Sequence, residues 1–130
     1  MNIKKNEKKM KMEYFKFSEF DSPDEIGSGE KYMDEEFLEM IDEARYFAQI
    51  PFKINSGYRT KEHNKKVGGV AKSSHLIGRA ADISCTNSKN RAIIVGSLFE
   101  AGFMRIGIHD KFIHVDNDVE NKSFPAIWLY

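Results

Sequence analysis

Apolar positions along the chain fall into two helical stripes and a series of alternating runs. In "MDEEFLEMIDEARYFAQI", Phe37, Ile41, Ala44 and Ala48 recur at three- and four-residue spacing, which lays them on one face of a helix. Asp34 supplies a capping carboxylate, and Met33 and Leu38 stand where a hydrophobic staple requires them, so a helix is predicted over 34–48. A second helix follows from "NSKNRAIIVGSLFEAG", where Ile94, Leu98 and Ala101 share a face and Gly102 ends the run. "TKEHNKKVGG" is polar, with Thr60 as cap and a Gly-Gly stop. It reads as a short surface helix whose His63 is exposed and outside any site. Alternation takes over elsewhere: Phe52 and Ile54 after Pro51, a strand at about 79–85, and "FMRIGIH" followed directly by "KFIHVDND". Strands grouped late with helices elsewhere predict an α+β fold, a small antiparallel sheet with helices packed on it.

The remaining segments add limits more than structure. "FKFSEFDSPDEIGSGEKYM" mixes Phe15, Phe17 and Phe20 with turn residues and reads as an irregular segment pinned by aromatics. Residues 1–12 are lysine-rich, with no apolar core of a secretion signal, and are expected to form a solvated, poorly ordered tail; residues 13–130 are then one domain. Lys plus Arg and Asp plus Glu both number 20, so bulk charge argues against a nucleic-acid or membrane partner. A monomer is expected. Cys85 is the single cysteine, which excludes an intramolecular disulfide and leaves histidine and carboxylate as the means of holding any metal.

Chemistry concentrates in "SSHLIGRAADIS" and the late hairpin. In the strand after Gly78, Ala81, Ile83 and Cys85 suit a core, and Ala80, Asp82 and Ser84 take the other face. An aspartate inside a short strand opposes β-propensity and calls for a compensating partner, with small Ala80 beside it leaving space for a bound ion or ligand. If Asp110 and Lys111 form a two-residue turn, His109 pairs with Phe112, Gly107 with His114 and Arg105 with Asp116, all on one face. His114 then lies opposite a residue without a side chain, which suggests room for a metal, with His109 a diagonal neighbour. A three-residue turn would separate the two histidines. The two-residue turn leaves Ile106, Ile108, Ile113 and Val115 as an apolar back, which favours it. Two histidines and one carboxylate, with a fourth position for water, is the ligand count of a catalytic zinc site, and amide hydrolysis is its natural reaction class.

These residues carry a resemblance. Ser73-x-His75-x-x-Gly78-x-Ala80-x-Asp82, preceded by "SGYRT" at 56–60 and followed by "FIHVD" at 112–116, resembles the M15 family of zinc D-alanyl-D-alanine carboxypeptidases and related peptidoglycan endopeptidases, in its compact bacterial and phage forms. The resemblance implies a fold like those of the DD-peptidases and the hedgehog signalling domain. It also implies one Zn²⁺ per chain on His75, Asp82 and His114, a substrate carboxylate or carbonyl held by Arg59, and Ser73 supporting substrate or loop. One position departs from the pattern. Where the dipeptidase branch has a glutamate before its last histidine ligand, this chain has Lys111, so His109 is the expected acid–base residue and Asp116 the alternative.

Asp116 has two further readings, a carboxylate orienting a ligand histidine or a cross-strand pair with Arg105. Arg59 also has a physical rationale, since its planar guanidinium matches a carboxylate bidentately. Trp128, Tyr130 and Phe124 are read first as core and second as a groove lining. The resulting expectation is a zinc peptidase of peptidoglycan stem peptides, with a catalytically silent zinc- or wall-binding module, such as a phage tail component, as the alternative. With no signal segment read, the protein is expected to be made in the cytoplasm and to reach cell wall through lysis, a holin or a virion.

Overall fold

The computed structural model describes residues 10–130. The lysine-rich tail lies mostly outside them, but Met10 and Met12 pack against the core, so the folded unit starts a little before residue 13. Tyr14 and Glu13 are anchored just after, their amides donating to the Asp42 carboxylate at 2.9 and 3.0 Å.

Among the described residues there are four helices: α1 (Ser28–Tyr32), α2 (Glu35–Ala48), α3 (Lys61–Lys66) and α4 (Ser88–Glu100). Asp34 caps α2 by accepting the Phe37 amide, and the staple residues Met33 and Leu38 are both buried. Such a cap contributes about 1 kcal/mol. Thr60 caps α3 in the same way, accepting the His63 amide. His63 is half-buried rather than exposed, and stands apart from the site. The aromatic segment is more regular than its composition suggests, with a 3-10 turn at Phe17–Phe20 and the short α1.

Five strands form one sheet: β1 (Ile54–Ser56), β2 (Ala80–Ser84), β3 (Arg105–Ile108), β4 (Phe112–Asp116) and β5 (Ala126–Leu129), in the order β1-β2-β4-β3-β5. The hairpin takes the two-residue turn: Gly107 faces His114, Arg105 faces Asp116, and the His109 amide donates to the Phe112 carbonyl at 3.0 Å. The sheet departs from the antiparallel expectation at one edge, where β5 returns after residues 117–125 and pairs with β3 in parallel, Trp128 beside Gly107.

Helices α2 and α4 pack together over one face of the sheet. Phe37, Leu38, Ile41, Ile94 and Leu98 meet Ala81, Ile83, Ile106, Ile113 and Val115 there, all nearly or wholly inaccessible to water. Period-2 alternation therefore commits the opposite face to Asp82, His114, Asp116 and Arg105, side chains that an apolar core would not admit. The sheet has a dry back and a polar front, and the front carries the chemistry.

Candidate metal and substrate site

Three backbone elements bring His75, Asp82 and His114 together. Ser73 caps the 3-10 turn Ser74–Ile77 by accepting the His75 amide at 3.2 Å, and Gly78 ends it in the left-handed region at φ 71°. A Cβ at Gly78 would strike the Tyr32 carbonyl, so the glycine is needed for both conformation and space. The turn leaves His75 buried above β2. Asp82 and His114 are direct cross-strand partners on β2 and β4.

The donor atoms of the three side chains lie within 4.8 Å of one another. His75 Nδ1 is 2.7 Å from the Gly57 carbonyl oxygen, which only accepts, so Nδ1 carries the hydrogen and Nε2 is bare. His114 Nε2 lies 2.8 Å from Asp116 Oδ2 and donates to it, leaving Nδ1 bare. Both bare nitrogens converge on Asp82 Oδ1, at 3.4 Å for His75 and 3.0 Å for His114. Two lone pairs and a carboxylate oxygen facing one another repel unless a cation or a proton sits among them. The donor set thus fits a divalent metal such as zinc, with each histidine oriented by an acceptor on its far side.

Without a metal, a proton takes that place. Burial alone would push the buried His114 down, but its hydrogen bonds to Asp116 and Asp82, together with their charges, outweigh burial and hold it above its ordinary 6.5. Asp82 is the reverse case, where burial is outweighed by hydrogen bonds and positive charge from His114 and His75, and its carboxyl is held well below the usual carboxylate range. Asp116 is also lowered despite its burial, chiefly by His114 and then by Arg105 and the Asp118 amide.

Asp116 makes both of the contacts expected of it, to His114 and to Arg105, and with both oxygens engaged and its side chain 1% exposed it is not free as the alternative acid–base group. One oxygen orients His114, and the other accepts from Arg105 Nε at 2.7 Å. Arg105 is further held by the Ser123 carbonyl at 2.6 Å and lies over the Trp128 ring at 4.9 Å. Ala80 sits opposite Asp116 and is wholly buried.

Arg59 is at the cavity wall, its Nη2 3.4 Å from Asp82 Oδ2, with Nε and Nη1 fixed by Ser56 and Asn64 at 3.1 and 3.0 Å. Burial lowers its pKa from the ordinary guanidinium value, only partly countered by the charges of Asp82 and Tyr130, and the group remains a cation. Ser73 also lines the cavity, which has a volume of about 420 Å³.

His109 is not brought into this cavity. Its ring stacks on Phe112 at 4.5 Å and meets the edge of Tyr130 at 5.7 Å, and Phe112 and Tyr130 do line the cavity. Its Nδ1 is engaged by its own turn, 3.0 Å from the Lys111 amide and 2.9 Å from Asp110 Oδ1. The register puts His109 on the expected face; what the register does not show is the aromatic pair that intervenes.

The space opposite His114 at Gly107 holds no room for a metal either. It is the seat of Trp128: a Cβ at Gly107 would come within 2.5 Å of the indole nitrogen, and the indole lies 5.5 Å from the His114 ring. Trp128 and Tyr130 are therefore a cavity wall rather than core, and exposed Phe124 belongs to neither. Parallel pairing of β5 places them, a non-local event with no signal in the alternation of "AIWLY" itself.

A family model described as Peptidase M15 matches residues 12–116, well over half of the chain. The chain belongs to the peptidase M15 family. No curated protein sequence matches it. The matched region contains Arg59, Ser73, His75, Asp82, His109, His114 and Asp116. β5, with the aromatic wall, lies beyond it, so the M15 peptidase core is here completed by a strand outside the match.

Proposed function

We propose that the protein is a zinc-dependent peptidase that hydrolyses peptidoglycan stem peptides, as a D-alanyl-D-alanine carboxypeptidase or an endopeptidase. The observation that carries the reading is the convergence of two bare histidine nitrogens on Asp82 at the floor of a cavity with Arg59 in its wall. A bound zinc supplies Lewis acidity, polarising an amide carbonyl and making water nucleophilic near neutral pH.

The chain's own residues do the rest. His75, Asp82 and His114 hold the ion, and Gly57 and Asp116 fix the two rings so that little reorganisation accompanies binding. Arg59 receives the substrate's terminal carboxylate or carbonyl with a donor geometry that lysine lacks. The Trp128 indole covers one side of the cavity and limits water around the reacting amide. In this reading His109, whose ring stacks on the cavity-lining Phe112, handles the proton through Nε2 at the cavity rim. The position of His109 also supports the competing reading, a zinc-holding module without catalysis.

Purified bacterial cell wall and defined muropeptides, with product masses read by mass spectrometry, test the proposal. New amino termini or released alanine, abolished by a chelator and restored by zinc, are the expected result. Intact substrate alongside full zinc occupancy would favour the silent module.

A further inference from the structure

A second cavity adjoins the first. It has a volume of about 440 Å³, and Ser73 and Lys122 line both. Its floor is apolar, from Leu76 and the exposed Ile77. Its charge is set by Lys72, Lys122 and Asp118. Asp118 is spent: its carboxylate accepts from Ser74 Oγ at 2.7 Å and Asn121 Nδ2 at 2.7 Å and lies 3.9 Å from Lys122 Nζ, with its side chain 3% exposed. Lys122 gives one hydrogen to Ser74 Oγ at 2.9 Å and keeps the others. Lys72 is exposed, and among the described residues no carboxylate pairs with it. The cavity therefore presents net positive charge above an apolar floor.

Arg59 lines the first cavity and not the second. A peptide whose carboxyl-terminal side is held at Arg59 leaves its acyl side to run past Ser73 and Lys122. Resting on the peptidase reading, we propose that the second cavity binds the acyl-side residues of the substrate and selects a carboxylate-bearing residue there. Lys72 and Lys122 receive the carboxylate, and Leu76 and Ile77 receive the methylenes that carry it.

The test uses zinc-loaded protein and two acetylated peptides ending in D-alanyl-D-alanine that differ only in glutamate or glutamine on the acyl side of the scissile amide. Hydrolysis is followed for this pair, and affinity for the same pair with the scissile amide reduced to a methyleneamine that cannot be cleaved. The glutamate peptide should bind on the order of fivefold tighter, the scale of partly exposed charge pairs. Lys72→Glu, with zinc content unchanged, should abolish or invert the ratio. Equal affinities in the unmodified protein, or a ratio that survives Lys72→Glu, would overturn the proposal. Hydrolysis without preference would sink the cavity assignment alone; preference without hydrolysis of these peptides or of purified cell wall would sink the peptidase reading and leave the cavity assigned.

Discussion

Replacing Asp116 with asparagine separates the two tasks of this carboxylate. The side chain keeps its size but loses its charge, so Arg105, with a side chain 11% exposed, is left without a counter-ion, and the His114 Nε2 hydrogen loses an ionised acceptor. Breaking a buried ion pair from one side costs about 3–5 kcal/mol. The Ser123 carbonyl and the Trp128 face still hold the guanidinium, which points to the lower end. A loss of about 3 kcal/mol lowers the melting temperature of a domain this size by roughly 10 °C. Removing a carboxylate behind a ligand histidine typically weakens metal binding about 10–100-fold. Adding Arg105→Leu removes the stranded cation, so the double variant should regain most of the stability while zinc affinity stays low. Thermal melts of the metal-free proteins and competition with a chromophoric chelator measure the two effects. Unchanged zinc affinity in Asp116→Asn would refute the orienting role, and affinity that recovers together with stability in the double variant would show that zinc was lost through unfolding alone.

Three further outcomes are expected. Arg59→Lys should retain zinc and lose turnover, because the charge remains but the fork is gone; unchanged turnover on muropeptides would remove Arg59 from substrate binding. His109→Ala should bind zinc normally and slow wall-peptide hydrolysis by about two to four orders of magnitude, the range for a positioned acid–base group, whereas near-normal rates would make it a rim residue only. The third concerns pH. In metal-free protein His114 is held above 6.5, so its contribution to stability is complete below that value and is lost as pH rises through the raised one; Asp82 and Asp116 are held below 3.8, so theirs is complete above it and lost in stronger acid. Zinc must displace the His114 proton, so the gap in melting temperature between zinc-loaded and chelated protein should widen from about pH 5 to about pH 8, and a constant gap would contradict this.

Features set by local rules are legible in the amino-acid sequence. The α2 boundary follows from Asp34 and the Met33–Leu38 staple, which act within one turn. The hairpin register follows from parity, since only a two-residue turn keeps Ile106, Ile113 and Val115 together on the core side. The pairing of Asp82 with His114 is what an aspartate in a strand calls for. What escapes the sequence depends on distant chain segments or on side-chain packing. β5 joins an edge in parallel, so nothing near "AIWLY" specifies its partner. An absent side chain at Gly107 signals space but not its occupant, which is Trp128. His109 shares a face with His114, yet the packing of Phe112 and Tyr130 decides what it touches. Ser74, whose hydroxyl links Asp118 and Lys122 behind the centre, sits beside Ser73 with nothing in the sequence to separate their roles.

The central claim is that His75, Asp82 and His114 form a metal centre, and the most direct test is elemental analysis of protein purified without added metal. One zinc per chain is predicted, falling to a small fraction in both His75→Ala and His114→Ala while circular dichroism shows each variant folded. Full occupancy in both variants, or folded unmodified protein that takes up no zinc even when it is supplied, would contradict the account.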